Sequence, residues 1–284
     1  MLKRKVKMFW NKDKLFCDIN PTCYAISEQK GICIRHIQNF LNKTNYAETR
    51  FRRKLPNVVY HQESHLIKRA PGIDLTLQLN KAVNIRLACK KINGTIIRPG
   101  ETFSFWHTVG KTTKRRGFKD GRVIVQGKLI PGIGGGLCNL SNTIHRTILH
   151  SPLEVTEFHQ HSDALAPDEG KRVPFSSGTS VNYNYIDYRF RNNTAQNVQL
   201  LAWCDEDNLY VELRSEREFP NTYKISEEGH HFRKEGDKFF RVSKIYKNAY
   251  DRASGELVEK ELVLDNHSEV MFDPSLIPAD QIKV

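Results

Sequence analysis

The chain has 284 residues, 39% of them hydrophobic, 27% charged and 10% aromatic. That suffices for one domain of ordinary size with additions, or two small ones, and excludes extensive disorder away from the ends. A formal charge of +12 and an isoelectric point near 9.4 give a surface that attracts polyanions. Its basic clusters, Lys3 to Lys7, Arg50 to Lys54 and Lys111 to Arg116, lack the motif of a nucleic-acid module beside them, so no specific nucleic-acid partner is expected.

The first residues carry the positive flank of a signal peptide without an apolar run of about 7 to 15 residues behind it. No later stretch approaches the roughly 18 apolar residues of a transmembrane segment. The expected location is therefore cytoplasmic. Six cysteines, Cys17, Cys23, Cys33, Cys89, Cys138 and Cys204, are scattered rather than framed as a small disulfide scaffold, which suits a reducing compartment.

In chain order, Ile32 to Leu41 is spaced like a short amphipathic helix. A second helix is predicted from Asn80 as N-cap, with Val83, Leu87 and Ala88 on one face and Gly94 closing it after Asn93. Ile96 to Trp106 reads as a strand, a Pro99-Gly100 turn and an aromatic strand. Val123 to Val125 and Lys128 to Ile130 flank a Gln126-Gly127 turn. The glycine-rich stretch from Pro131 to Cys138 then leads into a helix in which Leu140, Ile144 and Ile148 recur every fourth residue, ended by Ser151-Pro152. Leu153 to Phe158 alternates like a strand and delivers His159 and His161 at its far end. Strands are predicted over Tyr183 to Phe190, Val198 to Ala202 and Leu209 to Leu213, with a turn over Cys204 to Asn208. Long charged hairpins follow Phe219-Pro220, one turning at Arg252 to Gly255. The fold class is α+β: a β-rich core domain with a few helices, one starting at the glycine and cysteine motif, and a C-terminal β-hairpin extension. The expected divisions are a basic, cysteine-containing segment over 1–70, a core domain over 71–215 and the extension over 216–284.

Cys138 is the candidate nucleophile. A helix N-terminus favours a thiolate, because unpaired N–H groups and the helix dipole stabilise negative charge. Gly134, Gly135 and Gly136, with no Cβ, let the backbone fold tightly and offer N–H donors to an acyl-transfer oxyanion. A helix over 139–149 travels ~16 Å, and six strand residues return ~20 Å. An antiparallel return brings His159 and His161 back to the level of Cys138 as candidate bases. Asp187 is a candidate third member that orients a histidine, with Asp163 its rival. The competing reading is that Cys138 is an inert buried thiol and the glycines serve close packing.

A metal held by Cys138, His159 and His161 lacks an evident fourth ligand. Cys17, Cys23, Cys33 and His36 form another conceivable zinc set, with a first spacing wider than a usual knuckle. No metal site or cofactor is assigned. His107 and His145 are expected to be structural, and the glycines lack the Lys-Ser/Thr of a phosphate loop.

Several blocks then combine: Asn80 to Asn84, Arg98 to Trp106, Gly127 to Leu129, Pro131 to Cys138, and Asp187 to Asn192. Together they resemble the VanW family, the accessory proteins of B-type glycopeptide resistance. The resemblance covers about residues 75 to 200 and extends to the C-terminal stretches around Gly229 to Phe232 and Gly255 to Leu264. It implies a role in vancomycin resistance or cell-wall metabolism. Some proteins with VanW domains act as cysteine-dependent L,D-transpeptidases on peptidoglycan, a role that carries over to Cys138, with a stem peptide or its precursor as partner. The family's usual Gln after that cysteine is Asn139 here, a shorter amide expected to contact substrate or oxyanion.

Overall fold

A computed structural model describes residues 15–67, 69, 74–125, 128–160, 163–164, 178–183 and 186–283. The chain divides into two compact units, Met1–Thr44 and Asn45–Val284. In the first, α1 spans Pro21–Leu41, longer than the predicted segment. Asn20 starts it by accepting a hydrogen bond from the Cys23 amide at 2.9 Å, with Pro21 pre-set for the first turn. Cys17 lies in the 3₁₀ turn Phe16–Asp18 that precedes it. Among the described residues no group of three or more His, Cys, Asp or Glu side chains is placed to hold a metal ion. Nor is any helix among them long and apolar enough to cross a membrane.

The second unit is α+β. Its central sheet joins β1 (Asn57–His65), β10 (Asn208–Ser215), β9 (Val198–Cys204) and β2 (Thr95–Ile97) in that order, all antiparallel. Two helices, α2 (Leu75–Ile92) and α4 (Leu137–Leu149), lie beside each other against it, α2 on β9 and α4 on β1 and β10. Ala82, Ile85, Ala88 and Ile92 of α2, and Leu140, Ile144 and Ile148 of α4, are buried with Leu200, Leu209, Val211 and Leu213 of the sheet. The period of about four residues in each helix is what places these side chains on one face.

A second sheet combines β3 (Thr102–Ser104), β8 (Arg189–Arg191) and β6 (Glu154–Glu157). A short helix, α3 (Phe105–Val109), follows β3. The hairpin of β4 (Asp120–Val125) and β5 (Lys128–Ile133) leads into the glycine loop. The C-terminal residues form long antiparallel strands β11 (Asn221–Glu235), β12 (Lys238–Asp251) and β13 (Leu257–Val270), edged by β14 (Ile282–Lys283) and β7 (Asp163–Ala164).

The helix expected from Asn80 instead begins at Leu75, because Asp74 accepts from the Leu77 amide at 3.1 Å and supplies the cap. It ends as predicted, with Gly94 at φ +86°. The aromatic strand expected through Trp106 stops at Ser104, whose hydroxyl accepts from the His107 amide at 3.1 Å and opens α3. Among the described residues between Tyr183 and Phe190, the last two enter a sheet, while Asn182 and Ile186 pair as an isolated bridge. The Asp187 carboxylate takes the Trp106 and Tyr188 amides there, so they are unavailable to a strand ladder.

Candidate active site at the start of α4

The glycine loop is shaped first by packing. Gly134 and Gly136 hold φ of +80° and +94°, a region that only glycine enters readily. Gly135 approaches β4 so closely that an added Cβ would lie 2.2 Å from the Gly121 carbonyl carbon. The buried Asn84 of α2 fixes this contact. Its Nδ2 donates to the Lys119 and Gly135 carbonyls at 2.9 and 3.0 Å, and its Oδ1 accepts from the Lys119 amide at 2.8 Å. The Gly134 amide donates to the Lys119 carbonyl and the Gly135 amide to the Gly132 carbonyl, at 3.0 and 3.1 Å. Two of the three glycine amides considered for an oxyanion are thus engaged by backbone. The amides of Gly136 and Leu137 head α4, where intrahelical geometry provides no acceptor for them.

Cys138 stands in the first turn of α4, half-buried. Burial pushes its thiol up from the ordinary cysteine range, opposed by hydrogen bonding with the Val181 backbone, the Ser180 side chain and its own backbone. Desolvation thus outweighs these hydrogen bonds, a direction opposite to the depressed thiol expected of a helix start. Sγ lies 3.9 Å from the Val181 carbonyl oxygen. The segment carrying Val181 also binds the next turn of α4, with Ser141 Oγ donating to the Thr179 carbonyl at 3.3 Å.

The same segment holds His159. The Ser180 amide donates to the His159 carbonyl at 2.7 Å, and the His159 amide to Thr179 Oγ1 at 3.2 Å. Residues 179–181 therefore join the return from β6 to the start of α4. The carboxylate against the His159 ring belongs to Glu157, with Nε2 and Oε1 3.0 Å apart. Being two residues apart, these side chains leave the chain on the same side.

Asp187, the predicted orienting acid, serves otherwise. It is 1% exposed, and its carboxylate accepts from Ser104 Oγ at 2.6 Å, the Trp106 amide at 3.1 Å, the Tyr188 amide at 2.9 Å and Arg189 Nε at 2.7 Å. Its link to the histidine is indirect: the Asp187 amide donates to Glu157 Oε1 at 3.2 Å, and Arg189 Nε lies 3.4 Å from Glu157 Oε2.

Asn139 faces β1, donating from Nδ2 to the His65 carbonyl at 3.0 Å and accepting from Ser64 Oγ at 2.9 Å. His161 lies outside the described residues, and of Asp163 only the backbone, paired in β7, is described. His145 is buried, packed on Phe158 and 3.3 Å from the Tyr188 hydroxyl, and burial lowers its pKa to about 3. His107 stacks on Tyr46 and pairs with Glu48 at 3.0 Å.

The sequence profile of the family described as VanW like protein matches residues 80–214. The vancomycin B-type resistance protein VanW of Enterococcus faecalis is 27% identical over 227 residues, covering 80% of this chain and 82% of that protein. The chain belongs to the VanW family. An uncharacterized protein of Bacillus subtilis, YoaR, is 31% identical over 136 residues, which are 48% of this chain and 43% of that one. No solved structure matches the chain.

The VanW match contains Asn84, the glycine loop, Cys138, Glu157, His159 and Asp187. Two parts of this candidate site go unnamed in the sequence reading. Glu157 had a usable signal, its position two residues before His159 on a predicted strand. The 179–181 segment had none, because its approach to Cys138 spans about forty residues and depends on the tertiary fold.

Proposed function

We propose that this VanW-family protein serves vancomycin resistance and the cell-wall metabolism behind it as a cysteine-dependent acyl transferase of the L,D-transpeptidase kind, acting on peptidoglycan stem peptides or their precursors. The convergence of Cys138 and the Glu157–His159 pair on residues 179–181 carries this reading. A stem-peptide carbonyl enters beside Cys138. As sulfur attacks the carbonyl carbon, the thiol proton passes to His159, and the carbon–nitrogen bond breaks as that proton moves to the departing amine. The resulting thioester is resolved by an acceptor amine or by water. Burial disfavours a standing thiolate, so activation depends on a base at the moment of attack. Glu157 on Nε2 leaves Nδ1 of His159 for the proton, while His161 is the other candidate base. With Gly134 and Gly135 engaged, the amides heading α4 are the better donors to the oxyanion.

The test is intact mass after incubation with a stem tetrapeptide or a carbapenem. A thioester-linked adduct is expected on Cys138, absent in Cys138→Ser and formed about 100-fold more slowly or worse in His159→Ala. An unmodified Cys138 with every wall peptide tried would overturn the enzymatic reading. The engaged glycine amides and the raised thiol favour a second reading, in which the site holds a wall precursor without chemistry. Saturable binding by calorimetry with no adduct would establish that one instead.

A further inference from the structure

Outside the Cys138 site, the second unit holds two more cysteines, and they meet. Cys89 in the last turn of α2 and Cys204 at the end of β9 are 115 residues apart in sequence, with their sulfurs separated by 3.9 Å. We propose that Cys89 and Cys204 are a redox modification site, closing to a disulfide that staples α2 to the central sheet when the protein meets an oxidising small-molecule disulfide.

The surroundings give the two thiols different tasks. Cys204 is half-buried and borders the 205–207 turn, so an outside reagent can approach it, whereas Cys89 is buried. Arg86, one turn before Cys89, donates to the Asp205 and Glu206 carbonyls at 2.7 and 3.3 Å, which fixes its positive charge beside Cys204. The Cys204 thiol is held below the ordinary cysteine range, first by its hydrogen bond with Cys89 and further by Arg86. The Cys89 thiol is pushed well up by that hydrogen bond and by burial. Cys204 is thus the attacking thiolate and Cys89 the resolving thiol.

The chemistry balances with a small disulfide such as oxidised glutathione. Cys204 thiolate attacks one sulfur, forming a mixed disulfide and expelling one glutathione thiolate. Cys89 then attacks the Cys204 sulfur and expels the second, its proton passing to the departing thiolate. Two protein thiols become one disulfide, and one small disulfide becomes two thiols. The sulfurs must close from 3.9 Å to about 2.05 Å.

The staple acts on the helix that supports the glycine loop. Asn84 of α2 binds the Gly135 carbonyl, and the Lys81 side chain occupies the space beside Gly136. Linking the end of α2 to β9 closes a long loop and restricts the unfolded chain, so the oxidised form is expected to melt at a higher temperature.

The full chain is incubated in glutathione buffers of stepped redox potential, then alkylated, digested without reductant and mapped by mass spectrometry. The expected result is loss of two of the six thiols, a linked Cys89 and Cys204 peptide pair, and a raised Tm reversed by dithiothreitol. In Cys204→Ser, Cys89 is expected to stay reduced. A glutathione adduct that persists on Cys204 with Cys89 free, cross-links joining other cysteines, or a lowered Tm on oxidation would each overturn the proposal. The wild-type peptide map decides the matter even if the substitution impairs folding, and its result is independent of acyl-transfer activity at Cys138.

Discussion

The segment leading into β8 and the loop leading into α4 carry two of the chain's most recognisable motifs, and they treat their polar groups in opposite ways. At Asp187 everything is committed: a carboxylate 1% exposed receives two amides, a hydroxyl and a guanidinium. At the start of α4 the commitment stops partway. Gly134 and Gly135 are tied into the backbone, and beyond them a half-buried thiol sits among the open donors of a helix start. Both motifs are equally memorable as sequence. What separates a structural motif from a reactive one is whether its donors and acceptors are already used.

The sharpest way to break this contrast is Asp187→Ala. It leaves Arg189 partly unpaired in a buried setting and takes the acceptor from the Ser104 hydroxyl proton and from two amides, so a loss of about 3–5 kcal/mol in denaturant unfolding is expected. If the variant unfolds within about 1 kcal/mol of the parent but no longer forms the Cys138 adduct, Asp187 belongs to the chemistry and the contrast fails.

The buried side of the comparison also predicts a pH effect. His145, against Tyr188 and Phe158, has a folded pKa of about 3 against 6.5 for the free side chain. As pH falls through 6.5 the unfolded chain takes up a proton that the folded chain refuses until about pH 3. Its stabilising effect is therefore fully present above 6.5 and is lost as pH falls, by about 2 to 3 kcal/mol between pH 6.5 and 4.5. His150, lowered by burial, acts in the same direction. Denaturant midpoints measured across this range should flatten in His145→Gln, and an unchanged slope would show that the imidazole does not govern the effect.

Within the loop, Gly135→Ala places a Cβ 2.2 Å from backbone of Gly121 that cannot rotate away. A cost of about 1–3 kcal/mol is expected. Gly100→Ala, with no atom within 4 Å of the new Cβ but φ at +81°, isolates backbone strain and should cost about 1 kcal/mol. Equal thermal shifts for the two variants would mean that the close approach to β4 contributes nothing beyond conformation.

Much of this was legible in the sequence where periodicity or turn chemistry acts locally. The four-residue recurrence of Leu140, Ile144 and Ile148 placed α4 and its buried face, and the charged hairpins placed β11 to β13. Asp74 was overlooked as the cap of α2 because Asn80, inside the helix, has the same capping chemistry and spends its amide on the Asp120 carbonyl at 2.9 Å instead. At the candidate site, the glycines and the helix start single out Cys138 in the sequence, and its role there is the proposal made above. The partners of Asp187 are not legible in the sequence, because only the fold brings Ser104 and Trp106 to its carboxylate, more than eighty residues away in sequence. The pairing of Glu157 with His159 was within reach, since period-two geometry alone puts the two side chains together.

The smallest expected effect tests the residue on the boundary between the two behaviours. Asn139 follows the proposed nucleophile, where an amide touching substrate was expected, yet it binds Ser64 and the His65 carbonyl at the end of β1. If that is its whole role, Asn139→Ala loses two partly exposed neutral hydrogen bonds and about 1 kcal/mol. The alkylation rate of Cys138 and its rate of adduct formation would then stay within twofold. Asn139→Gln keeps the amide but lengthens its reach, so recovery of part of the stability without a change in either rate fits the same assignment. A tenfold fall in adduct formation at unchanged alkylation would place the Asn139 amide on the substrate and extend the reactive region one residue further into α4.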